Sequence, residues 1–500
     1  NNIVKVQSLK LKVIPILALN HKYIVTMDWA YLDVTTSSSY NSSSQAYAAG
    51  LVEGYITRDM IAMNWQNTVA GYCTSPYNDY CTRLQTFLQT NYKWVLEQIK
   101  LNPDSPYWHN VCETMFYAQL MGLEDGYLGT GPGKIHYNLD VFGIMLQIGG
   151  DLEDLESALH KPQQSRVLGS GSCSALIKLL PDFSDLYVAQ DTWSGFNSML
   201  RILKRYNFPY TMTDSTLETV PGRVLTFSSY PGALTSGDDY YLLSSGMVSM
   251  ETTIGNSNSD LWRFVQPTVS VLEGVRSVVA NRIAKSGMEW ASTFATYNSG
   301  TYNNEWMIVD YKQFQRGNRN LKPGLLVVLE QIPYFPGVFN ASGGNEMVKK
   351  YGDWFSYNYT ARANIFRRDH GNFRDIDSMM KLMRYNDYTK DPLSRCNCTP
   401  PYSAENAISA RSDLNPANGT FSISALGHRA HGGIDMKLTN FEMFKTMEMV
   451  AIGGPTYDNL PPFQWSQSDF ASHISHLGHP DKFMFKPIRY NVVILLHKYN

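Results

Sequence analysis

Gly169-Ser170-Gly171-Ser172-Cys173 marks the point at which the character of the chain changes. The glycines permit left-handed or strained backbone, and the apolar run 173–180 after them reads as a strand. Pro181-Asp182-Phe183-Ser184-Asp185 supplies a turn and residues 186–190 a second strand, so the segment predicts a hairpin with a cysteine at its mouth. A thiol held against a strained peptide can attack the carbonyl of the residue before it. The acyl group moves from nitrogen to sulfur, and hydrolysis leaves the cysteine with a free α-amine. Such a residue carries nucleophile and base together, because an α-amine of pKa about 8 can accept the thiol proton. A buried cysteine opening a strand after a loop explains the same five residues, and the pentapeptide alone does not separate the two readings.

Upstream of the hairpin the chain reads helical. The spacing predicts helices over 45–65, over 82–99, from Ser105-Pro106 onward, and over 139–155. The acidic run 151–156 reads as a solvated helix face. Downstream, 194–206 (Phe196, Met199, Leu200, Leu203) reads as an amphipathic helix. Strands are expected at 223–227, 240–253, 306–311 and 325–330, with a helix over 269–284. Helices leading into a strand-rich body suggest an α+β class with helices outside layered sheets.

Of 500 residues, 43% are hydrophobic, enough for a large core. The 42 basic and 44 acidic side chains give a net charge of −2, which argues against nucleic acid and against a polybasic membrane surface as partner. No transmembrane segment is expected: the apolar runs at 13–19 and 492–496 are shorter than the roughly 20 residues a span needs. The first reads as a signal remnant, a first strand or a disordered leader. Asn41, Asn340, Asn358, Asn397 and Asn418 each begin an Asn-x-Ser/Thr triplet. Cys73 and Cys81 bracket a turn-rich loop that a disulfide could close, Cys396 and Cys398 sit too close to decide, and Cys112 reads as core. Together these favour the secretory or lysosomal route.

Several chemistries drop out. No Gly-x-Ser-x-Gly exists for a serine lipase. Gly129-Thr130-Gly131-Pro132-Gly133-Lys134 fails the phosphate-loop spacing at Leu128 and Ile135. His473, His476 and His479, and His428 and His431 near Asp435, lack the spacing and base of a zinc site, so neither a metal nor a cofactor is expected.

Further blocks carry a resemblance: Gln45-Ala46-Tyr47-Ala48-Ala49-Gly50, Leu101-Asn102-Pro103-Asp104-Ser105-Pro106-Tyr107-Trp108, 168–180, Phe227-Ser228-Ser229-Tyr230-Pro231-Gly232, 298–311 and 409–418. With them the chain, from about Trp29 to Tyr490, resembles the phospholipase B-like proteins, most closely their lysosomal second branch. The resemblance implies the N-terminal-nucleophile (Ntn) hydrolase fold, a four-layer αββα sandwich with a helical N-terminal fragment. It implies self-cleavage between Ser172 and Cys173 and a lysosomal glycoprotein whose two fragments stay associated; a homodimer is left open. The chain then divides into a divergent leader or signal remnant (1–28), a mostly helical fragment (29–172), a fragment beginning at the nucleophile (173–490) and an unmatched tail (491–500). By similarity Cys173 is the nucleophile, Gln190 and Trp193 lie beside it, Thr253 matches a pocket position, and Arg362 steadies thiolate or substrate charge.

Two departures stand out. Gln190 replaces a family His and cannot titrate. Residues 330–335 run straight through where the family carries a longer segment with an oxyanion-stabilising Asn, a donor whose loss costs about 10²–10³ in rate. Two functions follow: a hydrolase of lipid acyl esters or linear amides, or a catalytically impaired lysosomal protein that binds lipid or peptide. A metal-dependent hydrolase is a third, from the histidines alone.

Overall fold

A computed structural model of the chain describes residues 29–111, 116–130, 141–162, 173–333 and 338–490. In chain order the strands are β1 (Ala30–Thr35), β2 (Cys173–Leu179), β3 (Leu186–Gly195), β4 (Ile202–Asn207), β5 (Val224–Ser229), β6 (Tyr240–Leu243), β7 (Met247–Thr253) and β8 (Asn304–Asp310). They continue with β9 (Leu326–Glu330), β10 (Cys398–Thr399), β11 (Thr420–Phe421), β12 (His431–Gly433), β13 (Asp435–Asn440), β14 (Met449–Gly453) and β15 (Ile488–Tyr490). The expected hairpin forms: β2 and β3 pair antiparallel, with Cys173 opposite Thr192 and Ala175 opposite Gln190.

One sheet runs β1-β4-β5-β6-β7-β8-β9; the other runs β12-β3-β13-β14-β15, with β2 also on β3. Strand alternation gives each sheet two working faces. Val188, Met449 and Ala451 of the second sheet share a core with Tyr240, Val248 and Val309 of the first. The other face of the first sheet (Phe227, Tyr241, Ile308) packs on Ala46, Ala118 and Trp290 from the helices Ser42–Ile56, Phe116–Leu128 and Gly287–Ala295. The other face of the second (Ala189, Met436, Ile452) packs on Ile365 and Met379 from Ala361–Asp369 and Ile376–Met383. The class is α+β, as expected.

The helices Ser42–Ile56 and Phe116–Leu128 cross at backbone distance. A Cβ added at Gly50 would lie 1.8 Å from the Gln119 carbonyl oxygen, and one at Gly122 would lie 2.0 Å from that of Tyr47. Gly54 and Gly126 meet Leu123 and Leu51 in the same way, so two glycine pairs four residues apart interlock. Glu53, on the first of these helices, is buried against β4, bonded to Lys204 Nζ at 2.6 Å and Tyr206 Oη at 2.5 Å. Removing one member of such a buried pair typically costs about 3–5 kcal/mol.

Lys204 also explains the clearest departure from expectation. The helix anticipated over 194–206 is absent: β3 runs to Gly195, a short 3₁₀ turn covers Phe196–Ser198, and β4 follows. Ile202 and Tyr206 face the helices while Leu203 faces the second sheet, a period of two that Lys204 and Arg205 disguise in sequence. The acidic run is also not simply solvated. Asp151 and Asp154 are buried, accepting from Thr301 Oγ1 (2.5 Å) and Asn303 Nδ2 (3.0 Å). The 45–65 helix divides at Thr57, whose hydroxyl bonds the Glu53 carbonyl (2.6 Å), giving Ser42–Ile56 and Arg58–Thr68. Residues expected as a 139–155 helix divide into Val141–Met145 and Gly149–Ala158, with Leu146-Gln147-Ile148 between them. The expected strand 240–253 is a β6–β7 hairpin turning at Gly246, where φ is +94°.

Cys73 bonds Cys81, and Cys396 bonds Cys398 with their Cα atoms 5.3 Å apart, inside the usual range. Cys112 lies outside the described residues. All five sequon asparagines, Asn41, Asn340, Asn358, Asn397 and Asn418, are exposed. Among the described residues no helix is long and apolar enough to cross a membrane.

Candidate active site

Cys173 is the first residue of β2 and lines a cavity of about 330 Å³ together with Thr192, Trp193 and Tyr302. Ser172 lies outside the described residues. Cys173 is the one free cysteine among the described residues, and it is buried. Its Sγ sits 4.0 Å from Glu251 Oε1 on β7, so the thiol points from one sheet across to the other. Glu251 also accepts from Tyr302 Oη at 3.4 Å, and its Oε2 is buried without a hydrogen-bond partner among the described residues.

Three of the sequence-predicted residues converge. Arg362, near the start of the Ala361–Asp369 helix, donates from Nη1 to the Cys173 carbonyl oxygen and to Ser174 Oγ (3.2 Å). Its guanidinium lies 4.4 Å from the Trp193 ring centroid, a cation–π stack. Trp193 Nε1 donates to the Ile408 carbonyl at 3.1 Å, the acceptor that Ser174 Oγ also uses at 2.7 Å. Arg362 therefore fixes the Cys173 backbone rather than meeting its sulfur. Gln190 is fully buried one pleat further down β3; its amide donates to the carbonyls of Asp238 (2.8 Å) and Glu251 (2.9 Å). It ties the two sheets together beneath the thiol. Thr253 stands two residues beyond Glu251, opposite Asn304 at the end of β7, and is not among the described residues that line the cavity.

Sequence reading missed the charges around these residues. Behind Thr192, Lys437 on β13 bonds Thr192 Oγ1 (2.5 Å) and Asp435 (2.9 Å), while Arg201 pairs with Asp238 and, at 2.9 Å, with Asp435. These two cations and two carboxylates are all buried and answer one another. Burial pushes the Cys173 thiol well above its ordinary range; the neighbouring Glu251 adds to this and Lys437 opposes it. Glu251 is itself held well up by burial and by Asp239, and burial with Asp238 alongside raises Asp239 to about 8. The signal available in sequence was a charged residue set between apolar ones in a strand, Glu251 after Met250 and Lys437 between Met436 and Leu438.

The thiol stands at a strand N-terminus, its backbone is clamped by Arg362, and it opens on a cavity. The phospholipase B family model matches residues 17–333 and 331–490. The chain belongs to the phospholipase B family. It is 52% identical over 493 residues to a Mus musculus protein named "Putative phospholipase B-like 2", covering 92% of this chain and 82% of that protein. A Homo sapiens protein of the same name is 48% identical over 496 residues, covering 92% and 83%. "Putative phospholipase B-like 1" of Caenorhabditis elegans is 42% identical over 504 residues, covering 94% and 86%. The two family matches overlap at 331–333, directly after β9.

Proposed function

We propose that this phospholipase B family chain is a lysosomal N-terminal-cysteine hydrolase that cleaves itself between Ser172 and Cys173 and then hydrolyses an acyl ester or amide. The observation that carries the reading is the placement of Cys173: first residue of its strand, at the edge of a cavity, its carbonyl held by Arg362. Two facing sheets with helices on both outer faces support the Ntn four-layer αββα sandwich.

In the first step Cys173 Sγ attacks the Ser172 carbonyl carbon, the Ser172–Cys173 C–N bond breaks, and the nitrogen takes a proton to become the α-amine. Water then hydrolyses the thioester, leaving a Ser172 carboxylate and a free thiol. The α-amine does not exist before this step, so the thiol proton needs another acceptor; Glu251 Oε1, at 4.0 Å, is placed to take it in the ionised fraction that its raised pKa leaves. In later turnover the α-amine serves as base, Trp193 and Arg362 shape the entrance, and Gln190 holds the sheets. Exposed sequons and two disulfides support a glycosylated product of the secretory route.

A second reading, a binding protein without turnover, is favoured by the division of the family match in two at 331–333; on the family resemblance, the chain lacks the oxyanion Asn there. Purified protein assayed at pH 5 against matched acyl-ester and acyl-amide substrates decides between them. Product release by the wild type and none by Cys173→Ala supports the hydrolase; binding of the same substrates without release by either supports the second reading.

A further inference from the structure

The cavity beside Cys173 has an unusual wall. Its charged lining among the described residues is entirely acidic: Asp151, Glu153, Glu156, Asp239 and Glu273, with no Lys, Arg or His. Glu156 is answered by Lys161 at 2.6 Å, and Asp151 by Thr301 and the Glu273 N–H. Two others are incompletely answered. Asp239 is 1% exposed and Glu273 is 3% exposed, yet Asp239 Oδ2 and Glu273 Oε1 have no hydrogen-bond partner among the described residues. A buried carboxyl oxygen without a donor is costly, so an arrangement with two of them on one cavity wall is built around something that brings donors.

In the neighbouring charge cluster Arg201 and Lys437 pair with Asp238 and Asp435, and neither makes a hydrogen bond to Asp239 Oδ2 or Glu273 Oε1. The rest of the wall is apolar or neutral, including Met145, Leu146 and Leu152. A short aliphatic chain ending in an ammonium matches both halves: methylenes for the apolar side, three N–H donors and a positive charge for the open oxygens. A phosphate would meet five carboxyls and no cation.

We infer that the cavity at Cys173 recognises an aliphatic ammonium, and that the substrate is an amide carrying such a group rather than a phosphate-bearing lipid. The inference rests on Cys173 being the nucleophile of the proposed hydrolase. Burial holds both Asp239 and Glu273 well above the usual carboxylate range, so each stays neutral until a cation arrives; binding then forms an ion pair and releases one proton to water.

Calorimetry on the intact wild-type protein at pH 6 with hexylamine, hexan-1-ol and hexanoate tests the recognition without needing turnover. The expected result is hexylammonium binding at least tenfold tighter than the alcohol, hexanoate weakest, and the preference lost in Asp239→Asn and in Glu273→Gln. Either variant suffices if the other does not fold. Equal binding of amine and alcohol, tighter binding of hexanoate, or a preference retained in a folded variant overturns the inference. In parallel, the 6-aminohexanoyl and hexanoyl amides of 7-amino-4-methylcoumarin are compared for release. An amine preference with no hydrolysis of either amide leaves the recognition standing and sinks the hydrolase reading; hydrolysis without an amine preference does the reverse.

Discussion

Cys173 Sγ and Glu251 Oε1 face each other across the two sheets at 4.0 Å, both side chains buried. A thiol and a carboxyl so placed compete for one proton, and both are held above their ordinary ranges by burial.

If Glu251 takes the thiol proton during self-cleavage, Glu251→Gln keeps the shape and removes the acceptor. Processing of freshly made protein, followed by gel over time, is expected to slow by about 10²-fold or more, with little change in Tm. Unchanged processing would remove Glu251 from the step.

Arg362 holds the Cys173 carbonyl, Ser174 Oγ and the Trp193 ring at once. Lysine cannot reproduce a planar fork that also stacks. Arg362→Lys is expected to lose roughly ten- to a hundredfold in processing rate, the equivalent of a charge-assisted hydrogen bond. Rescue by lysine would reduce Arg362 to a simple charge.

Stability should fall as pH rises. Asp151 is raised from 3.8 to about 6, chiefly by burial, and Asp239 from 3.8 to about 8. A folded carboxyl with a raised pKa binds its proton where the unfolded one has lost it. Its contribution is therefore full below the unfolded value of 3.8 and declines until pH passes the folded value, about 6 for Asp151 and about 8 for Asp239. Thermal melts are expected to give a Tm several degrees lower at pH 8 than at pH 5, and Asp239→Asn should flatten the upper part of that slope.

The crossing of Ser42–Ile56 and Phe116–Leu128 leaves no room for a methyl group at Gly122, 2.0 Å from the Tyr47 carbonyl. Gly122→Ala is expected to destabilise by about 2 kcal/mol or more, since backbone must move. Gly149→Ala, with nothing within 4 Å of the added atom, should change denaturant midpoints little.

How much of this was legible depended on whether a residue's neighbours lay close along the chain. The β2–β3 hairpin reads directly because its apolar run, turn and return are contiguous. β4 was hidden because Lys204 breaks its alternation, and only Glu53, far upstream on a helix, makes a buried lysine acceptable there. Asp151 and Asp154 read as solvent-facing for the same reason: Thr301 and Asn303, which bury them, come much later. Cys173, Trp193 and Arg362 could be grouped only through the family resemblance. Glu251, Asp239 and Lys437 belong to the site by charge and burial, which no local pattern records.

The most direct measurement of the central claim is intact mass with N-terminal sequencing of protein purified at acidic pH, wild type beside Cys173→Ala. The account expects two associated fragments in the wild type, one beginning at Cys173, and a single uncut chain in the variant. A single chain in both, or cutting of both at the same bond, would contradict it.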